Sequence, residues 1–274
     1  MLVNGLPGNT ISIRDRGLLY GDGVFRTLRA VGGHALHWSL HYLKLQHDCA
    51  RLDIPCPDEA LLLSELGQVL AQHPDGVVKL IVTRGEGARG YAPATDATPT
   101  RIWDFSPQPD YPAEWATHGV KAHVCQIRLP DQPRLACVKH LNRLENVLAA
   151  AELRDAQALD PDIAEGLLLD AAGHVVEGTR SNLFAVSKGQ LATPDLSRCG
   201  IAGIQRGRVM AWALQHGMAP QVRDIALEEA LHADELFLVN SVIGLWPIRA
   251  LGQRHWQHFP VAEKIRTALE QEEI

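Results

Sequence analysis

A lysine at position 139 stands where an amine nucleophile could be made. Lys139 lies between the apolar residues Val138 and Leu141, and an extended segment over 134–138 precedes it. We expect a helix to begin after it, with Asn142 as N-cap and with the side chain of Glu145, three residues on, closing a capping box. A lysine kept partly dry in such a setting loses proton affinity and can attack a carbonyl carbon. The ordinary alternative is a solvated lysine near a helix end, which describes most lysines.

Glu177 is a second candidate, because it ends a predicted strand over 174–178 and follows Lys139 by 38 residues. One predicted helix and one predicted strand lie between these two residues. Taken alone, Glu177 reads as a solvated carboxylate at a turn.

A third candidate is the stretch from Gly200 to Arg206, which opens a predicted helix over 203–217. Free backbone N–H groups at a helix start can hold a phosphate, and nearby glycines allow close approach. The donors would be Ile204 and Gln205. Glycine before a helix is common, so this feature is weak by itself.

The glycine-rich loop 85–90 follows a predicted strand and matches the spacing of a dinucleotide-binding loop. That kind of site also needs a helix to open there, and residues 91–95 do not have a helical pattern. We interpret the loop as a lid over an anionic substrate, carrying Arg84, Arg89 and Tyr91. Arg89 could bind a carboxylate through two hydrogen bonds.

Hydrophobic periodicity predicts strands and helices in groups, many strands being joined as hairpins. This pattern indicates an α/β chain built of α+β layers rather than a doubly wound parallel sheet. The proline-rich segment 106–115 is the predicted linker, giving an N-terminal domain over 1–108 and a larger domain over 109–274 that carries Lys139. The predicted strands cover 2–4, 10–13, 24–30, 34–38, 77–83, 100–105, 119–128, 164–170, 174–178, 182–187, 221–225 and 236–240; the predicted helices cover 39–52, 58–72, 142–159, 203–217 and 260–271.

Composition excludes several classes of function. The 274 residues are 46% hydrophobic and 21% charged, with a net charge of -6, so we expect no nucleic-acid partner. No apolar run is long enough for a membrane span, and no signal peptide is expected at the N-terminus. The five scattered cysteines suit reduced thiols in a cytoplasmic protein. His37 and His41 have a zinc-binding spacing but lack a third ligand, so we expect no metal site.

Three of these segments together carry a resemblance to a known family. The strings Lys139-His-Leu-Asn-Arg-Leu-Glu145, Glu177-Gly-x-x-Ser-Asn-Leu-Phe184 and the stretch 200–206 occur in the order found in fold-type IV pyridoxal-phosphate enzymes. The opening Arg14-Asp15-Arg16 followed by Gly21-Asp22-Gly23-Val24-Phe25 agrees. The resemblance implies two α/β domains with pyridoxal 5'-phosphate at the domain interface, and a homodimer.

The resemblance also implies roles for individual residues. Lys139 would form the Schiff base with the cofactor, and Glu177 would pair with the pyridine nitrogen and keep it protonated. Ile204, Gln205, Asn240 and Ser241 would lie at the phosphate. The family holds the phosphate with an arginine in His-x-x-Arg-Leu, whereas this chain has Lys44 there, which keeps the charge but not the bidentate fork.

Within the family the lysine segment most resembles that of the aminodeoxychorismate lyases. Thr27 falls where those lyases carry a catalytic threonine, and Asn240 also matches them. Phe25, Arg89 and Tyr91 would lie on the substrate side. We therefore expect conversion of 4-amino-4-deoxychorismate to 4-aminobenzoate and pyruvate, a step of folate biosynthesis. The alternative is a D-amino-acid or branched-chain aminotransferase, and a binding protein without turnover remains a third possibility.

Overall fold

The computed structural model describes residues 1–272, which divide into two compact units. The first unit contains Met1–Pro109 and Val138–Asn142, and the second contains Asp110–Cys137 and the chain from Arg143 onward. The predicted α/β class is confirmed. The lysine segment, residues 138–142, groups with the first unit because its main chain pairs with residues 23–25. The sequence analysis places it in the second domain instead. The domains over 1–108 and 109–274 stay a prediction.

The first unit is an antiparallel sheet with two long helices. Its strands have the order β2-β1-β6-β5-β3-β4. Its apolar core combines residues of α2 and α3, such as Leu45 and Leu62, with the inward side chains of the sheet, such as Val24 and Trp103. The elements are β1 (Leu2–Val3), β2 (Leu6–Pro7), α1 (Arg16–Tyr20), β3 (Gly23–Val31), β4 (His34–Ala35), α2 (Trp38–Arg51), α3 (Glu59–Gln72), β5 (Gly76–Thr83) and β6 (Thr100–Ser106).

The second unit is built on a larger mixed sheet. Its strands have the order β12-β11-β10-β13-β14-β7-β8-β9, with β15 paired to β14. The main core contains the stacked rings of Phe184 and Phe237, with ring centroids 5.1 Å apart. The elements are α4 (Trp115–His118), β7 (Val120–Leu129), α5 (Leu144–Leu159), β8 (Ile163–Asp170), β9 (Val175–Gly178), β10 (Asn182–Ser187), β11 (Gln190–Pro194), α6 (Ile204–Gln215), β12 (Gln221–Arg223), α7 (Leu227–His232), β13 (Glu235–Asn240), β14 (Gly244–Leu251), β15 (Arg254–His255) and α8 (Pro260–Gln271).

Most predicted elements are confirmed within a few residues, but some are wrong. The strand predicted over 10–13 does not form, and the segment after it contains the short helix α1, which was not predicted. Asp15 caps that helix by accepting the N–H of Gly17 at 2.8 Å, a local bond that competes with extended structure. The sequence analysis did not predict β2, α4, β11, α7, β14 or β15. Within residues 1–272 each helix is too short or too polar to cross a lipid bilayer.

The helices α2 and α5 both leave large apolar residues exposed. In α2, Leu40 and Leu43 are 40% and 61% exposed, and the buried residues are His41, Leu45, Asp48 and Cys49. Asp48 can occupy this face because Arg26 of β3 and the N–H of Lys139 bind its carboxylate. Leucine periodicity alone could not indicate such partners.

On α5 the regularly spaced apolar residues Leu144, Val147 and Leu148 are 73%, 61% and 53% exposed. The buried residues of this helix are Ala149 and Leu153. The apolar face that helps to predict α5 therefore does not pack inside the chain.

His41 is an uncharged group in this environment. It is only 4% exposed, and its Nδ1 has no hydrogen-bond partner among the described residues. Burial, followed by the positive charges of Arg26, His37 and Lys139, lowers the pKa of His41 to about 3. In the folded protein this imidazole is therefore neutral at neutral pH.

His41 should make the protein less stable as the pH falls. Between its unfolded pKa of 6.5 and its folded pKa of about 3, only the unfolded chain takes up the proton. Its contribution to the free energy of unfolding should fall by about 1.4 kcal/mol per pH unit in that range. His41→Gln should lose this dependence when urea unfolding is measured at pH 6.5 and pH 4.5. His34→Gln, at an exposed histidine, is the control, and equal slopes for wild type and His41→Gln would contradict the assignment.

Candidate active site

Lys139 lies in an irregular segment, not at a strand-to-helix junction. Residues 133–136 form a turn, where the sequence predicts an extended segment over 134–138. The carbonyl of Lys139 accepts the N–H of Phe25 at 3.0 Å, and the N–H of Leu141 donates to the carbonyl of Gly23 at 3.0 Å. These two bonds fix the segment against the first residues of β3.

The predicted N-cap at Asn142 is wrong. α5 begins at Leu144, and the side-chain amide of Asn142 donates to the carbonyl of Gly21 at 2.9 Å. The capping box with Glu145 is therefore not formed, because the asparagine is used to hold the loop that precedes β3.

The amine of Lys139 lies over an aromatic ring. Its Nζ is 4.4 Å from the centroid of the Phe25 ring, and Nζ of Lys79 is 5.1 Å from the same centroid. Thr27 is directly opposite Lys79 in the β3–β5 pair, and Phe25 and Thr27 point to the same face of the sheet. Two amines, a ring and a hydroxyl therefore share one half-buried face.

On the buried side of the same sheet, the carboxylate of Asp48 binds two positively charged side chains. Asp48 is fully buried and forms ion pairs with Arg26 and Lys44, and its Oδ2 accepts the N–H of Lys139 at 3.1 Å. Burial alone would raise the pKa of Asp48, but the charges of Arg26 and Lys44 hold it below its ordinary value. Asp48 is therefore a carboxylate that links Lys44 to the lysine segment.

Of the three residues predicted to lie in the glycine-rich lid, one is buried and two are exposed. Arg84 is buried and donates to Asp22 at 2.8 and 3.0 Å, so its predicted place in the lid over a substrate is wrong. Arg16 ties the loop down by donating to the carbonyls of Gly90 and Tyr91 at 3.1 and 2.7 Å. The side chains of Arg89 and Tyr91 are exposed, and the latter is 85% accessible.

Glu177 is a buried acid, not a solvated one at a turn. It lies opposite Leu168 in the β8–β9 pair and is only 2% exposed. Its Oε2 accepts the N–H of Ile201 at 2.7 Å, which joins β9 to the glycine-containing segment before α6.

Asn182 connects the Glu177 motif to the stretch 200–206. Its side-chain amide donates to the carbonyl of Ile201 at 2.7 Å, and its Oδ1 accepts the N–H of Gly203 at 3.0 Å. A Cβ added to Gly203 would lie 2.6 Å from that Oδ1, so the close approach requires glycine. Ile204 and Gln205 then form the first turn of α6, which no side chain caps among the described residues. Their N–H groups lie where a helix binds an anion.

Asn240 and Ser241 lie at the end of β13, as predicted, but the side chain of Asn240 shapes its own turn. Its Oδ1 accepts the N–H groups of Val242 and Ile243 at 2.7 and 2.9 Å, and its amide donates to the carbonyl of Arg180 at 3.1 Å. Ser241 is half-buried in the same turn.

Three charged residues near these motifs were missed by the sequence analysis. Glu165 is fully buried on β8 and accepts the N–H of Thr179 at 3.1 Å and the hydroxyl of Ser181 at 2.8 Å, which orders the turn after Glu177. Lys79, Asp48 and Glu165 share one signal, a charge placed inside a segment that otherwise follows an apolar pattern. Such charges are rarely buried unless they have partners.

Cys199 is not a reactive nucleophile at neutral pH. Burial, with the neighbouring acidic groups Asp131 and Glu177, raises the pKa of Cys199 to about 12. Its thiol is therefore protonated at neutral pH, and the thiolate is the reactive form.

Known proteins resemble this chain over nearly its whole length. The aminodeoxychorismate lyase of Vibrio harveyi is 36% identical over 250 residues, covering 91% of this chain and 90% of the relative. A crystal structure of 4-amino-4-deoxychorismate lyase from Pseudomonas aeruginosa is 46% identical, with a TM-score of 0.93, covering 99% of this chain and 98% of that one. The D-alanine aminotransferase of Bacillus licheniformis is 27% identical, covering 95% of this chain and 90% of the relative.

The family model described as Amino-transferase class IV matches residues 23–251. That range includes the lysine segment, Glu177 and the start of α6. The chain therefore belongs to the class IV aminotransferase family.

Proposed function

We propose that this protein is a pyridoxal-phosphate-dependent lyase that converts 4-amino-4-deoxychorismate to 4-aminobenzoate and pyruvate. The observation that carries the proposal is the similarity to the lyase structure of Pseudomonas aeruginosa, at 46% identity across nearly the whole chain. The D-alanine aminotransferase of Bacillus licheniformis, at 27% identity, supports the alternative activity less strongly.

The chain carries groups of the right chemistry for this cofactor. A phosphate suits the start of α6, where Gly203 allows close approach and the N–H groups of Ile204 and Gln205 point outward from the first turn. The buried carboxylate of Glu177 suits a protonated ring nitrogen. We infer that Lys139 and Glu177 both act on the cofactor, with Lys44, Asn240 and Ser241 on the phosphate side.

Pyridoxal phosphate, when bound, supplies an electron sink for negative charge at the amine-bearing carbon of the substrate. In our proposal the amine of Lys139 takes the proton from that ring carbon. The carbon–oxygen bond to the enolpyruvyl group then breaks and the ring becomes aromatic. The hydroxyl of Thr27 helps to deliver the proton that turns the departing group into pyruvate. Thr27 suits this role because it shares a sheet face with Phe25, whose ring lies under the Lys139 amine.

The substrate carries two carboxylates, so it needs cationic partners. Lys79 supplies one on the face that carries Thr27, and Arg89, with Tyr91, supplies the second from the glycine-rich loop. The Arg16 bonds to Gly90 and Tyr91 support this role, because they restrict the loop without using the side chain of Arg89.

We further propose a homodimer in the cytoplasm. Three exposed apolar residues near the start of α5, Leu144, Val147 and Leu148, form a surface that is costly to leave in water and that a second copy could cover. The five free cysteines suit a reducing compartment.

Turnover without an acceptor distinguishes a lyase from a transaminase. A transaminase leaves the amino group on the cofactor and stalls after one turnover unless a keto acid is present. We expect many turnovers of 4-amino-4-deoxychorismate to 4-aminobenzoate and pyruvate, measured by chromatography with no keto acid added, and none from Lys139→Ala. Transfer of amino groups from D-alanine or leucine to 2-oxoglutarate, with no aminobenzoate formed, would refute the lyase proposal.

Glu177→Gln should slow the reaction while leaving the cofactor bound. The ring nitrogen would lose its anionic partner, and each ~1.4 kcal/mol of lost stabilisation slows the reaction about tenfold. kcat should fall about tenfold or more, and the cofactor dissociation constant should change little. Glu235→Gln is the control, since Glu235 is also a buried acid of the second unit that accepts main-chain N–H groups. An unchanged kcat in folded Glu177→Gln protein would reject the pairing.

Lys79→Ala and Arg89→Ala should each weaken substrate capture. Loss of one charge-assisted hydrogen bond, roughly 1.5–3 kcal/mol, should raise KM about tenfold or more. Lys188→Ala, at an exposed turn lysine, provides the comparison. A KM equal to that of wild type for Lys79→Ala would remove Lys79 from the substrate side.

A further inference from the structure

Asp48 holds the lysine segment from the side opposite to β3. The carbonyl of Lys139 is bound by the N–H of Phe25 at 3.0 Å, and its N–H is bound by Oδ2 of Asp48 at 3.1 Å. Both polar main-chain groups of this residue are therefore fixed, although the segment belongs to no helix or strand. The position of the Lys139 side chain depends on these two bonds.

The carboxylate that makes this contact is shared with two cations. Oδ2 also pairs with the guanidinium of Arg26, and Oδ1 pairs with the ammonium of Lys44 and lies 3.1 Å from Nδ1 of His47. Asp48 is 0% exposed, so its contacts are made without competition from water. Charge-assisted hydrogen bonds of this kind are stronger than neutral ones.

Two residues proposed to act on the cofactor thus depend on one side chain. Lys139 depends on it through the main chain, and Lys44 depends on it through an ion pair between residues four apart on α2. A change at Asp48 would move both groups together, whereas a change at Lys44 would leave the Lys139 contact in place.

We propose that Asp48 is a positioning residue that sets the place of Lys139 through its peptide N–H and the direction of Lys44 through its ammonium. Asp48 touches neither substrate nor cofactor in this proposal. The importance of the role rests on the proposed function, in which Lys139 forms the bond to pyridoxal phosphate, but the contact itself can be tested without turnover.

The first test observes the Lys139 amide directly. The chain has six lysines, so protein labelled with ¹⁵N-lysine gives six lysine amide signals, and Lys139→Arg identifies the one of interest. In wild-type protein the Lys139 amide should be protected from hydrogen exchange. In Asp48→Ala it should exchange about tenfold faster or more, because a bond to a charged acceptor is lost. The other main-chain amides away from α2, those of Lys79, Lys121, Lys188 and Lys264, should keep their rates.

Asp48→Asn keeps the shape of the side chain but removes its charge. It tests the contact with the Lys139 amide if Asp48→Ala fails to fold. Its Lys139 amide signal should shift and exchange faster. Glu65→Gln is the matched control, because Glu65 is a buried carboxylate of the same unit that binds Arg101 and Trp103. An unprotected Lys139 amide in wild type, or an unchanged one in Asp48→Asn, would overturn the proposal.

The second test measures the bond to the cofactor. Asp48→Asn should form its borohydride-reducible link with pyridoxal phosphate about tenfold more slowly than wild type or Glu65→Gln, and its kcat should fall while KM changes little. A change in KM alone would overturn the positioning role. If wild type makes no aminobenzoate, the proposed lyase function fails, but the amide and trapping measurements still decide the role of Asp48.

Discussion

The close approach of the lysine segment to the start of β3 is the constraint on which the first unit depends. The segment pairs with Gly23 and Phe25 through main-chain hydrogen bonds of 3.0 Å. A Cβ on Gly23 would lie 2.7 Å from the carbonyl of Val82 and 2.8 Å from the side chain of Leu141, so β3, β5 and the segment can meet only at a glycine. This geometry places the Lys139 amine over the Phe25 ring and gives the segment a fixed main chain without regular secondary structure.

The first unit balances several positive charges with few carboxylates. Asp48 binds Arg26 and Lys44, and Asp22 binds Arg16 and Arg84. Buried cations are tolerated only when paired, so these two acids allow the basic residues to be buried in the first unit. The same positive charges, after burial, keep His41 neutral. A basic but ordered environment suits a doubly anionic substrate.

In the second unit, hydrogen bonds hold the acid Glu177 next to the start of helix α6. Glu177 and Asn182 both bind the main chain of residues 201–203, so the acid and the first turn of α6 are fixed relative to each other. Glu165 orders the turn between Glu177 and Asn182. Motifs that are separate in the sequence are therefore parts of one hydrogen-bonded network, which gives a physical reason for their joint occurrence.

The sequence by itself determined the fold class, most of the helices and strands, the family and the candidate residues Lys139 and Glu177, because periodicity and short motifs are local. The tertiary structure decided which faces are buried. Leu43 and Leu144, Val147 and Leu148 of α5 are exposed. Asp48 is inside because Arg26 and the N–H of Lys139, which bind its carboxylate, come from distant parts of the chain. Asn142 holds the Gly21 loop instead of capping α5 for the same reason. The roles of Asp48, Lys79 and Glu165 arise only when separate segments meet, and no local pattern specifies that meeting.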